Sequence, residues 1–109
     1  MAYDEGLVQR IEEALPDGVQ LEQKKMFGGL GFLDRGNLVI GTSNDHLMVR
    51  VGKNAYEEAL TRPGARVFDM TGRPMAGWVM VQPEGYESDA DLNRWISDAL
   101  AFTSTLPPK

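Results

Sequence analysis

Leu7, Val8, Ile11 and Leu15 recur at helical spacing while Glu12 and Glu13 fall on the opposite side, so the pattern predicts an amphipathic helix over Tyr3–Leu15. Asp4 and Glu5 lie in its first turn, where the positive end of the helix dipole favours carboxylates, and Pro16-Asp17-Gly18 ends it. The period then shortens to two. Val19–Phe27 reads as a strand entering Gly28-Gly29, and Leu30–Leu33 as its partner before the turn Asp34-Arg35-Gly36-Asn37. Leu38–Gly41 follows. After the turn residues Thr42-Ser43-Asn44-Asp45, Leu47, Val49 and Val51 alternate with Met48 and Arg50 in a strand over His46–Val51. Strands in succession with such short connections imply an antiparallel meander.

Gly52–Leu60 has Ala55, Tyr56, Ala59 and Leu60 on one side and Glu57 and Glu58 on the other, which predicts a second, short helix closed by Arg62-Pro63-Gly64. Arg66–Met70 fits a brief edge strand, Thr71-Gly72-Arg73-Pro74 a turn, and Gly77–Gln82 the last strand. Ser88 is placed to cap the longest helix, whose buried stripe is Leu92, Trp95, Ile96, Ala99 and Leu100. The expected architecture is an α+β, two-layer domain spanning residues 1–109: an antiparallel sheet of about five to six strands with three helices, in the order helix–strands–helix–strands–helix.

One feature of the strands exceeds what two layers need. In Trp78-Val79-Met80-Val81 and Leu38-Val39-Ile40 apolar side chains point to both faces of the sheet, although helices cover only one. Met26, Met48, Trp78 and Met80 are the candidates for the second face, and methionine-rich surfaces adapt to partners because the side chain is flexible and polarizable. They are therefore the candidate interaction surface. The plainer reading is a partly solvated face screened by long side chains.

A chain of 109 residues, 42% hydrophobic and 25% charged, is an ordinary globular domain and not a disordered one. Cysteine is absent, which excludes disulfides, thiolate metal sites and a cysteine nucleophile. No apolar run approaches the ~20 residues of a membrane helix, and the start Met1-Ala2-Tyr3-Asp4-Glu5 lacks the basic and apolar regions of a signal peptide, so a cytoplasmic location is expected. Net charge is −5, distributed unevenly: −5 over residues 1–23, +3 over 24–73 and −3 over 74–109. Acidic helices would thus flank a mildly basic sheet. That overall balance opposes direct nucleic-acid binding, which depends on clustered cations.

No set of residues assembles a reaction. Gly28-Gly29-Leu30-Gly31 resembles a phosphate-cradling loop, but such a loop needs a helix after it and here a strand follows, so a hairpin turn or bulge is the better reading. Lys25, Gly28, Gly29 and Arg50 are the weak anion-site candidates. His46, the one histidine, has no positioned nucleophile and no companion ligands at suitable spacing. The pairs Glu12-Glu13, Glu57-Glu58 and Asp89-Asp91 lie on solvated helix faces, where no carboxyl is desolvated for acid–base work. No catalytic residue, metal site or cofactor is expected.

Read together, Lys25-Met26-Phe27-Gly28-Gly29, Phe32, Gly36-Asn37, Leu47-Met48-Val49-Arg50-Val51-Gly52 and Thr71-Gly72-Arg73-Pro74-Met75-Ala76-Gly77-Trp78-Val79 resemble the N-terminal domain of the TfoX/Sxy family. The resemblance implies a two-layer α/β fold of the same element order. It also implies kinship with bacterial regulators of natural competence, which act with the cyclic-AMP receptor protein and carry a second, C-terminal domain. This chain is expected to be a stand-alone version of the first. Three functional readings follow: a non-enzymatic regulatory module working through protein contacts, as a homodimer or with other proteins; a small-molecule or nucleotide-binding domain using the Gly28-Gly29 turn; and direct DNA binding through the basic middle segment.

Overall fold

In the computed structural model, which describes residues 5–26, 29–43, 46–68 and 76–108, the elements are α1 (Glu5–Ala14), β1 (Glu22–Met26), β2 (Gly29–Asp34), β3 (Asn37–Ser43), β4 (His46–Arg50), α2 (Lys53–Leu60), β5 (Ala65–Val67), β6 (Trp78–Val81) and α3 (Asp89–Thr103). The six strands form one antiparallel sheet in the order β1-β2-β3-β4-β6-β5. This is the expected α+β arrangement of three helices on a sheet, with the first four strands as a meander. The turn predicted over Thr71-Gly72-Arg73-Pro74, the side chain of Met26, and Phe27, Gly28, Asn44 and Asp45 lie outside the described residues.

Boundaries differ where local hydrogen bonding competes with the strand pattern. Val19 donates its backbone N–H to the Pro16 carbonyl at 3.1 Å, extending the turn, so β1 begins at Glu22 instead of Val19. A single 3-10 turn over Pro83–Gly85 occupies the expected loop. Ser88 caps α3 as its sequence position suggests: its Oγ accepts from the Asp91 N–H at 3.1 Å.

The β2–β3 connection is a two-residue hairpin with both central residues left-handed, Arg35 at φ 52° and Gly36 at φ 86°. That conformation matches the right-handed twist of the flanking strands, but costs about 1–2 kcal/mol at a residue other than glycine. Arg35 is held by a long-range contact, its Nη2 donating to the Thr103 carbonyl at 3.1 Å. Asn37, 2% exposed, donates from Nδ2 to the Pro107 carbonyl at 2.9 Å. The turn is thereby docked on the C-terminal end of α3.

The core is one cluster on one face of the sheet: Leu30, Phe32, Ile40, Leu47, Val49, Val79 and Val81 meet Leu7, Val8 and Ile11 of α1, Ala59 of α2, and Leu92, Trp95, Ile96 and Ala99 of α3. A register shift between Phe32 and Leu33 leaves Val39 without a direct cross-strand partner. This β-bulge lets Val39 and Ile40, both 0% exposed, join the same core. Leu38-Val39-Ile40 does place apolar side chains on both faces, as expected, and the extra residue sends two of the three to the core. Only Leu38, half-buried opposite Leu33, is left on the other side.

Candidate functional site

Strand alternation and register assign the second, outer face of the sheet. Met48 stands opposite Met80, Met80 opposite Arg66, and Arg50 opposite Trp78; all have the parity opposite to core residues Leu47, Val49, Val79 and Val81. The outer face therefore carries Leu33, Leu38, Met48, Arg50, Trp78, Met80 and Arg66, with Glu22, Lys24, Ser43 and His46 toward its β1 edge and strand ends, and no helix of the described residues packs its buried stripe there. Three of the four residues expected from sequence, Met48, Trp78 and Met80, do share this face.

They are not equivalent. Gly31 pairs with Gly41, and Gly41 with Met48, which leaves a flat trough beside the methionine. Met48 lies down into it: a Cβ at Gly41 would come within 2.8 Å of its methyl carbon. At 1% exposure Met48 offers no contact surface, whereas Trp78 and Met80 are half-buried. Phe68, 4% exposed, backs Trp78 with ring centroids 6.0 Å apart. The accessible patch is thus Trp78 and Met80, with Leu33 and Leu38 further along the sheet.

Arg50 sits within this patch. Its guanidinium lies 5.4 Å from the centroid of the Trp78 ring and 5.5 Å from that of Phe102, so both aromatic neighbours hold it by cation–π attraction. Phe102 in turn closes on Gly52, where a Cβ would come within 2.4 Å of the ring, and Gly52 has φ 84°. Only glycine suits that position on both counts.

The anion-site candidates are not brought together. Lys25 pairs with Leu30 and so has core-face parity at the β1 edge, three strands from Arg50 and on the other face. Gly29 is packed backbone to backbone, since a Cβ there would lie 1.8 Å from the Thr42 carbonyl oxygen. Its role is close approach of β2 to β3. Gly28 lies outside the described residues.

Sequence reasoning missed a charged cluster joining α2 to α3. Arg62, 12% exposed at its side chain, is 3.0 Å from Glu58 and 2.6 Å from Asp98, and its guanidinium rests 4.5 Å from the Trp95 ring centroid; Arg94 reaches Glu58 at 3.3 Å. The i,i+4 spacing of Glu58 and Arg62 was a visible signal; the link to Asp98 was not. Burial works against the Arg62 charge, but the hydrogen bonds and charges of Glu58 and Asp98 outweigh it and raise its pKa above the ordinary value. A cleft of about 670 Å3 opens beside the cluster, between Gly52, Lys53 and Asn54 at the start of α2 and Ala101, Phe102 and Thr105. Its charges pair with one another, although Arg62 Nη1 and Asp98 Oδ2 are buried without a hydrogen-bond partner among the described residues, and the cluster contains no nucleophile–base pair.

Glu58 makes the cluster sensitive to acid. The Arg62 hydrogen bond, against an opposing effect of burial and aided by the charges of Arg62 and Arg94, holds the Glu58 carboxyl below the usual carboxylate range. A group with a lowered folded pKa contributes stability above its unfolded pKa and loses it as pH falls through the folded value. Glu58→Gln is therefore expected to lower the thermal midpoint slightly near neutral pH and to match the wild type below the carboxylate range. Unfolding curves of both proteins at stepped pH check this; a difference that grows in acid would contradict it.

Among the described residues no group of three or more His, Asp or Glu side chains could hold a metal ion, and no helix is long and apolar enough to cross a membrane. Residues 13–103 match the family model described as the TfoX N-terminal domain. No curated protein and no solved structure matches.

Proposed function

The chain belongs to the TfoX N-terminal domain family, and on that footing we propose that it is a non-enzymatic, cytoplasmic regulatory module of TfoX type that works through protein contacts made by the outer face of its sheet. What supports the reading is the pair Trp78 and Met80, half-buried apolar side chains on a face to which no described helix contributes its buried stripe. A solvated sheet face is ordinarily polar along its alternate positions, as an antiparallel sheet permits. Here Leu33, Leu38, Trp78 and Met80 hold such positions, with Arg50 and Arg66 beside the last two, while Glu22, Lys24, Ser43 and His46 lie on the same face toward the β1 edge and the strand ends.

The nucleotide-binding alternative has no comparable support, because Gly29 packs against the Thr42 carbonyl and Lys25 and Arg50 lie on opposite faces.

A chromosomal Met80→Glu substitution tests the reading. It places a carboxylate in the middle of the patch without touching the core, and is expected to reproduce the transcript profile of a deletion strain. Glu57→Lys, on the exposed side of α2, is expected to leave that profile unchanged. A Met80→Glu strain that cannot be told from wild type would sink the proposal.

A further inference from the structure

The arginines divide by face. Arg10 donates to the Tyr86 and Glu87 carbonyls and to Asp89, Arg35 to the Thr103 carbonyl and Asp34, Arg62 to Glu58, and Arg94 to Glu58. Arg50 and Arg66 have no hydrogen-bond acceptor or ion-pair partner among the described residues, and they are the two that share the outer face. A guanidinium presents five N–H donors in its plane and is always charged, so a half-buried arginine without an acceptor is an incomplete arrangement. The rings of Trp78 and Phe102 occupy space beside the Arg50 guanidinium, favouring an acceptor that arrives at its free edge. Carboxylates match that geometry in the bidentate mode.

The two layers also differ in charge. The three helices carry eight acids and three bases, net −5, whereas the six strands carry Glu22 and Asp34 against Lys24, Lys25, Arg50 and Arg66, net +2. A second copy docked face to face would set Arg50 and Arg66 against their own kind. A nucleic acid would meet an apolar patch with only scattered cations, on a chain of net charge −5. An acidic polypeptide with apolar side chains is the complement of both features.

We propose that the outer face receives an acidic amphipathic segment of a partner protein, whose apolar side chains seat on Trp78 and Met80 and whose carboxylates pair with Arg50 and Arg66. This rests on the contact-surface reading above and names the chemistry of its partner. Arg50 and Arg66 are two strands and two residues apart in register, about 12 Å by strand spacing and rise. Acids seven apart on a helix are separated by roughly 10.5 Å along its axis, with room between them for leucines three and four residues on.

The test uses three fluorescent probes on the full chain: a helical peptide with a leucine stripe and glutamates seven apart, the same peptide with glutamines, and a short DNA duplex. Fluorescence anisotropy is expected to show the glutamate peptide binding at least tenfold more tightly than the glutamine peptide, with the preference erased in Arg50→Gln/Arg66→Gln and reduced by added salt. Arg66 is exposed, so Arg66→Gln alone keeps the fold and should lose part of the preference, a readout independent of any destabilisation from Arg50. Equal binding of the two peptides, or none by either, overturns the partner chemistry. Tighter binding of the duplex overturns it as well. Sedimentation showing a dimer that Met80→Glu dissociates assigns the face to a second copy; that outcome rejects the acidic segment and leaves the contact-surface reading standing.

Discussion

Trp95→Ala is expected to remove about 3–5 kcal/mol of folding stability, a large part of the ~5–15 kcal/mol by which small domains are stable. Trp95 is the largest of the fully enclosed side chains, 2% exposed, and joins three elements at once. Its ring packs in the core beneath the sheet, its Nε1–H donates to the Gly85 carbonyl at 2.9 Å, and the Arg62 guanidinium rests on its face. Alanine leaves a cavity, an unpaired buried carbonyl and an arginine without its seat. Trp95→Phe keeps much of the volume and loses the hydrogen bond, for an expected cost of about 1–3 kcal/mol. Urea denaturation of the three proteins gives the ordering; an alanine variant no less stable than the phenylalanine one would contradict the assignment.

Gly29→Ala should be nearly as damaging although it adds a single methyl group. The new carbon would lie 1.8 Å from the Thr42 carbonyl oxygen and 3.0 Å from the Ser43 Cα, all backbone atoms with no rotamer to escape into. Relief requires β2 and β3 to separate locally, and a cost at or above the upper end of the ~1–3 kcal/mol for overpacking is expected. Gly18→Ala provides the contrast. Nothing lies within 4 Å of a Cβ there, so only its φ of 80° opposes the change, by about 1–2 kcal/mol. Hydrogen exchange should show lost protection in the β2–β3 amides of Gly29→Ala and none in Gly18→Ala. If the two variants prove equally stable, Gly29 is not at the close approach described.

These two sites illustrate what periodicity could and could not convey. The buried stripe Leu92, Trp95, Ile96 and Ala99 was legible because a helix repeats every 3.6 residues and one side must exclude water, and the same residues line the core. Trp95's bond to Gly85 joins segments whose approach depends on how α3 lies across the sheet, which no local pattern encodes. From sequence alone Gly29 reads as part of a hairpin turn or bulge, with anion binding as the weaker alternative. Pairing with β3 turned it into a packing contact.

The outer face was partly legible. Alternation correctly grouped Met48, Trp78 and Met80, because side chains in a strand alternate sides regardless of the rest of the fold. It could not distinguish the buried Met48 from the accessible pair, since burial there depends on Gly31 and Gly41 standing side by side in neighbouring strands. Nor could it find the bulge that sends Val39 inward, or foresee that Arg50 would lie between Trp78 and Phe102, the latter contributed by a helix half the chain away.

The chain's order of residues was by itself enough to determine the helices and strands, the α+β class and the surplus of apolar positions on the sheet, because these follow from repeats of two and 3.6 residues and from turn chemistry acting over a few bonds. Which of those apolar side chains stay reachable, and which arginines find no carboxylate among the described residues, were decided only in three dimensions. Pairing register and helix placement bring together atoms far apart in the chain, and burial and charge satisfaction are properties of those meetings.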